Sequence, residues 1–568
     1  MVVPARALAS RPPDPLERLM LAFNGTTVPA WLRARLANAP AAGFTLFRAP
    51  NLRAAAQVRR LTTDLQAAAR PRTRATTGED LPLLLATDQE GGQLNALGDG
   101  FTQFAGPMAI GASGDVDLAE RVGRAIGTEL RAVGVNVNYA PVADVATNPA
   151  NPSLGIRSFG DEPATVARFA AAWLRGLQSA GVAGTAKHFP GKGEGSVDTH
   201  VALDAVERSR EELEAVELVP FRALVDEGVR LVMSGHFAVP AVTGNATLPS
   251  TLSRRLMHEL LRDELGFDGV SITDALDMGA LPQDARQAID VVAALQAGVD
   301  LLLATPDRRA LRRIESALAR AAAVELLDPA IAAASTNRVR ALRRWLRDLE
   351  EPPFEVIGSS EHRALARELA ERSLTLVRDD AHVLPLRVGT GARIGAIMPS
   401  ALDLTPADTS SYVVPSLAAA LRSHHRAVDE VVTSHPPTGG EIAALRDRAA
   451  AWDAIVVGTI SAVAGSPQAE LVEALAASGK TLVTVALRTP WDLAAYPRVA
   501  THVCTYSIYR ESMDALAAAL FDAPSSGGGG SMAEAFPGRL PVRLDLQAPQ
   551  PQTQPASSSR SQPVGARP

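Results

Sequence analysis

Residues 162–189, EPATVARFAAAWLRGLQSAGVAGTAKHF, contain the unit from which the fold is read. The first twenty place apolar residues at helical spacing behind a Glu-Pro start and stop at Gly181, as a helix C-terminus does. The last eight form a short apolar run that ends on Lys187 and His188. The helical half recurs at 117–134, DLAERVGRAIGTELRAVG, again closed by glycine. The apolar half recurs as AGFTLF (42–47), LPLLLATD (81–88), GVNVNYAPVADV (134–145), RLVMSGHFAV (230–239), GVSITDAL (269–276) and GVDLLLAT (298–305). Apolar strands alternating with amphipathic helices predict a parallel sheet covered on both faces. Seven or eight such units from about residue 40 to 325 fit a closed (β/α)8 barrel of the TIM type. An open doubly wound sheet is the alternative.

Polar residues collect at one end of these strands. Asp88, Asp144, Lys187 with His188, His236 and Asp274 all fall at or just past a strand's C-terminal end, which in a barrel is the catalytic rim. A turn-forming role explains one such aspartate but not five strands in succession.

Beyond the barrel, 1–325, an arginine-rich helix ending in Pro-Pro suggests a linker over 326–357. A second alternating region, 358–547, carries apolar strands at LTLV (374–377), RIGAIM (393–398), AIVVGTI (454–460), TLVTVAL (481–487) and THVCTYS (501–507) and predicts a smaller α/β sandwich. SSGGGGS (525–531) reads as a flexible loop, and the Pro-, Gln- and Ser-rich end, 548–568, as a disordered tail.

Composition narrows the function classes. A net charge of -6 over 568 residues gives no electrostatic footprint for nucleic acid or an anionic membrane. The single cysteine, Cys504, excludes an internal disulfide and a cysteine-rich metal cluster, and its apolar setting suggests a buried strand residue. No apolar run is long enough to span a bilayer or to act as a signal peptide, so a cytoplasmic location is expected.

The segment KHFPGKGEGSVDTH (187–200) concentrates chemistry: it holds two of the chain's three lysines, Lys187 and Lys192. It is not a P-loop, because Lys192 precedes glycine and Ala186 stands where the leading glycine is required. Asp198 and His200 with one distant histidine make a thin metal site, and none is expected. Proton transfer remains: glycines give the loop freedom to swing, and Asp198 accepts from one ring nitrogen of His200 while the other exchanges a proton. A surface loop with an incidental Asp and His is the competing reading. The partner that makes it chemistry is Asp274, on rigid scaffold at the barrel mouth, because a retaining glycosidase needs a nucleophilic carboxylate beside a proton donor. Asp277 competes for that role but lies further into the turn, where helix capping is more natural.

The ordered set DQEGG (88–92), NYAPVADV (138–145), NPSLGIRSFG (151–160), KHFPGKG (187–193), Asp198-Thr199-His200, MSGH (233–236) and TDALDM (273–278) resembles the glycoside hydrolase family 3 β-N-acetylglucosaminidases. TLVRDDAHVLPL (375–386) and PGRLPV (537–542) extend the resemblance to that family's second domain. The resemblance implies a two-domain enzyme without cofactor, acting on a glycan containing N-acetylglucosamine. Asp274 would be the nucleophile and His200 the general acid/base oriented by Asp198, while Asp88, Arg157, Lys187 and His188 would hold the sugar hydroxyls. The pattern after DQEGG commonly continues Arg-Val-x-Arg, whereas Gln93 and Ala96 stand here, and Lys192 replaces a usual histidine. The resulting expectation is a retaining exo-β-N-acetylglucosaminidase releasing terminal sugar from cell-wall fragments or oligosaccharides. The alternatives are a phosphorylase using the same intermediate, a β-glucosidase-type relative and an inert carbohydrate-binding relative. The second domain is expected to edge the site rather than supply chemistry.

Overall fold

The structure, a computed structural model, describes residues 14–521 and 531–546. The expected tail and almost all of the glycine loop at 525–531 therefore lie outside the described residues.

Eight parallel strands close a barrel: Leu19–Leu21, Gly43–Thr45, Leu84–Thr87, Val137–Asn138, Ala183–Phe189, Leu231–Ser234, Val270–Ala275 and Leu301–Leu303. Each pairs with its neighbour in sequence, and the first returns to the last through Leu19 opposite Leu302, which excludes the open sheet. The expected fold class, a TIM-type barrel followed by a second α/β domain, is therefore correct. The alternation begins earlier than residue 40, however, because the first strand is the three-residue run Leu19–Leu21.

The helices start where local chemistry dictates. Asp115 caps Val116–Ala132 by accepting from the backbone N–H groups of Asp117 and Leu118, and Glu162 caps Pro163–Ser179 by accepting from Ala164 and Thr165. These two helices lie side by side without gaps. A methyl on Gly123 would sit 2.1 Å from the Trp173 carbonyl, and one on Gly176 would sit 1.9 Å from that of Glu120.

Inside the barrel, Met20, Leu84, Val137, Leu231, Ile272 and Leu301 fill the axis with Val339, Leu342 and Leu346. The last three belong to the helix Pro329–Arg347, so the segment read as a linker instead plugs the barrel. Its arginines meet the strand starts: Arg338 pairs with Asp300 at 2.7 Å, Arg340 with Glu17 at 2.9 Å, and Arg343 donates to the Pro82 carbonyl at 2.7 Å. Sealing the N-terminal end leaves the C-terminal rim as the open mouth.

The second domain centres on six strands in the order Thr375–Asp379, Thr501–Cys504, Thr481–Ala486, Ala454–Thr459, Ile394–Pro399 and Val428–Thr433, with only the first antiparallel to its neighbour. The sequence reading lacks Val428–Thr433, an edge strand buried only at its two ends, with half-buried and exposed residues alternating between them. Cys504 is fully buried within its strand. Among the described residues no helix is long and apolar enough to cross a membrane.

Candidate active site

The rim residues converge on one cavity of about 310 Å³, bordered by Asp88, Arg157, Lys187, His188, His200 and Asp274. At its floor lies a compact charge network. The Lys187 ammonium sits 2.6 Å from Asp88 and 2.7 Å from Glu90, and Arg157 grips Glu90 through two bonds of 2.8 Å while donating to the Ser153 carbonyl. Burial pushes Glu90 upward, but Arg157 and Lys187 outweigh it and hold that carboxyl at about 2. Burial lowers Lys187, yet Asp88 and Glu90 overcome it, so the ammonium keeps its proton. Glu90 is the central acid of this network. The sequence reading gave it no role, although it stands inside the quoted DQEGG run.

His188 and Asp144 share a proton across 2.7 Å between Nδ1 and Oδ2, and Asp144 Oδ1 also accepts from the backbone N–H groups of His188 and Lys192. Burial drives the imidazole far below its ordinary value, so His188 presents a neutral ring to the cavity. His236 does not border the cavity. Burial keeps it neutral too, so its Nε2–H donates to the Ala275 carbonyl while Nδ1 accepts from the Thr251 hydroxyl, fixing the turn that carries Asp274.

Asp274 stands at the end of the seventh strand, with Oδ1 accepting from the backbone N–H of Ala275 at 2.8 Å. Burial would raise its carboxyl, but the basic groups around it, His188, His236, Lys192 and His200, hold it below the ordinary carboxylate range, and with both buried imidazoles neutral the standing charge among them is that of Lys192. It is a carboxylate at every ordinary pH. Asp277 is exposed in the following turn, and it caps no helix, since the next helix begins only at Gln287.

Asp198 and His200 form the expected pair: Nδ1 and Oδ1 lie 2.7 Å apart, and the same oxygen accepts the His200 backbone N–H at 3.0 Å. Burial raises Asp198, but its bonds to His200 more than offset this, so it stays charged. The loop is tied to the turn after Asp274, because Gly279 and Ala280 donate to the carbonyls of His200 and Thr199. Its glycines serve close packing rather than the swing expected of them. A methyl on Gly193 would meet the Val145 carbonyl at 1.7 Å, and one on Gly195 the Asp204 carboxylate at 2.5 Å. Gly191 has φ +119°, with Glu217 directly behind it.

The other wall comes from the second domain. Asp403, Ala407, Asp408, Thr409 and Tyr412 border the cavity. Their loop is seated on the stretch that follows DQEGG: the Gln93 backbone carbonyl accepts from the backbone N–H and hydroxyl of Thr409, and Asn95 donates its backbone N–H to the Thr409 hydroxyl oxygen. The Asn95 side chain also donates to the Tyr509 hydroxyl at 2.6 Å. Spacing could not reveal these contacts, which join residues more than three hundred positions apart. Among the described residues no group of three or more His, Cys, Asp or Glu could hold a metal ion.

Residues 26–342 match the model of the glycosyl hydrolase family 3 N-terminal domain. A β-hexosaminidase A of Pseudoalteromonas piscicida is 34% identical over 386 residues, covering 64% of this chain and 63% of that protein. A β-N-acetylglucosaminidase/β-glucosidase of Cellulomonas fimi is 32% identical over 60% of this chain and 65% of its own length. The chain thus spans just under two thirds of these two relatives. A solved family 3 β-N-acetylglucosaminidase from Paenibacillus sp. str. FPU-7 superposes with a TM-score of 0.85 at 33% identity, covering 94% of this chain and 99% of that one.

Proposed function

The chain belongs to glycosyl hydrolase family 3, and on that premise we propose that it is a retaining, exo-acting β-N-acetylglucosaminidase. One observation carries the reading: a permanently ionised carboxylate, Asp274, and an imidazole held by a charged aspartate, His200 with Asp198, border the same blind pocket. The names of similar proteins, β-hexosaminidase and β-N-acetylglucosaminidase, support the same sugar.

The terminal sugar enters with its hydroxyls toward Asp88, Lys187, Arg157 and the neutral ring of His188. Asp274 attacks the anomeric carbon while His200 Nε2 delivers its proton to the departing oxygen, leaving a glycosyl ester on Asp274 and a neutral alcohol. Asp198 accepts the Nδ1–H, which leaves Nε2 as the nitrogen that exchanges protons. In the second step His200 takes a proton from water, the resulting hydroxide attacks the anomeric carbon, and the carboxylate is released. A blind pocket that takes the terminal sugar end-on supports an exo mode. Cell-wall fragments and oligosaccharides ending in β-N-acetylglucosamine are the proposed substrates. Incubation with a slow fluorosugar of N-acetylglucosamine, followed by peptide mapping, tests the assignment. The adduct belongs on Asp274, and a label on any other side chain removes the mechanism.

A further inference from the structure

We propose that Arg48 and Tyr412 form the leaving-group half of the pocket and select leaving groups that carry a carboxylate. The proposal rests on the hexosaminidase reading and adds the chemistry of the aglycone.

Among the described residues three lysine or arginine side chains border the cavity, and two are already paired, Lys187 with Asp88 and Glu90 and Arg157 with Glu90. Arg48 is different. Among the described residues it has no carboxylate within ion-pair distance, yet its guanidinium is held in place from three sides. It donates to the Asn95 carbonyl at 2.9 Å, it lies 4.1 Å from the centre of the Tyr412 ring, and it rests against Gly98, where a methyl would come within 2.6 Å of Nη2. An arginine immobilised without an anion has its ordering entropy already spent and its fork available for a planar, two-oxygen partner.

The acids of the same wall are occupied within the second domain. Asp408 accepts from Arg488 at 2.7 Å and from the backbone N–H groups of Leu404 and Ser410, and Asp403 accepts from the backbone N–H and hydroxyl of Ser411. They border the pocket, but neither neutralises Arg48.

Depth decides which half of the substrate meets this pair. Lys187 and Arg157 are 2% exposed, whereas Tyr412 is 43% exposed at the mouth. A terminal sugar seated on the buried network therefore directs its departing substituent past His200 and outward, to Arg48 and the tyrosine ring. That ring comes from the second domain, which gives the second domain a part in choosing the leaving group.

The test compares two aryl β-N-acetylglucosaminides that differ only in a meta substituent, carboxylate or carboxamide, by kcat/KM in the wild type, Arg48→Gln and Arg48→Lys. The wild type is expected to favour the carboxylate about tenfold, the scale of one hydrogen bond to a charged group, with the preference shrinking as salt rises. Arg48→Gln should bring the ratio to about one, and Arg48→Lys should keep part of it. Equal wild-type rates on the two glycosides, or a preference that survives Arg48→Gln, would overturn the proposal while leaving the hexosaminidase reading intact. Hydrolysis of neither glycoside would overturn both.

Discussion

Glu217 offers a test of how the catalytic loop is supported. Its side chain is fully buried behind Gly191, one oxygen accepts from Arg208 at 3.1 Å, and the other has no partner among the described residues. Arg208 also serves Glu194 and the Thr147 hydroxyl, and Asp144 adds a like charge, so one arginine cannot hold Glu217 ionised. Burial, reinforced by Asp144 and Glu194 against the pull of Arg208, pushes the carboxyl from 4.5 up to about 8. The folded protein therefore binds this proton more tightly than the unfolded chain. The associated stability is complete below about pH 4.5 and is lost as pH rises through about 8. The interval between the two values bounds the effect at about 5 kcal/mol. Glu217→Gln keeps the shape of the protonated acid and removes the titration, so its stability relative to wild type should rise between pH 5 and pH 8. At about 2 °C of Tm per kcal/mol for a large domain, the difference in Tm should change by about 5 to 10 °C in the mutant's favour. Calorimetry of both proteins at the two pH values measures it directly, because contributions from all other groups cancel in the comparison. A difference in Tm that is the same at both pH values would refute the reasoning, for it would mean an ionised Glu217 paired with Arg208.

Three further outcomes follow, two of them from the site. His200→Ala should slow saccharide or alkyl leaving groups about 10² to 10⁴-fold, the usual scale of general acid catalysis, and activated dinitrophenyl glycosides much less; equal losses on both would count against an acid role. Gly193→Ala places a methyl 1.7 Å from the Val145 carbonyl, so kcat should fall at least tenfold with a Tm loss equivalent to about 1–3 kcal/mol. Gly439→Ala, which meets nothing within 4 Å, should leave both unaltered or slightly raise Tm.

The fold was legible where the period of apolar residues is long enough to count. Strands such as Ala183–Phe189 follow helices with clear caps, and their polar ends already mark one rim. Legibility fails where an element is short or its polarity misleads. Leu19–Leu21 has three residues directly after a Pro- and Arg-containing turn, too few to show any period. The helix Pro329–Arg347 carries enough arginine to read as solvated, yet those arginines bind strand starts while its apolar stripe closes the barrel. In the site, the sequence reading assembled Asp198, His200, Asp274, Lys187 and Arg157 because each lies in a motif. It had no means of finding Arg48 or Tyr412, whose meaning arises only when two domains meet.

The two departures from the family pattern now receive physical accounts. Arginines after DQEGG would be additional cations near the sugar. Gln93 instead turns its side-chain amide to the Ala407 carbonyl at 3.4 Å and its own carbonyl to Thr409, joining this stretch to the second domain's loop. Lys192 follows the same economy of charge. It is 5% exposed, burial and Arg157 lower its affinity for the proton, and Asp144, Asp274 and Asp198 restore part of it. An ammonium is a compact point charge that can face several carboxylates at once, whereas a planar guanidinium needs a fork-shaped partner. In a chain that otherwise relies on arginine, two of the three lysines therefore stand where a small, buried positive charge favours an ionised carboxylate: Lys187 beside Glu90, and Lys192 in the field of Asp274.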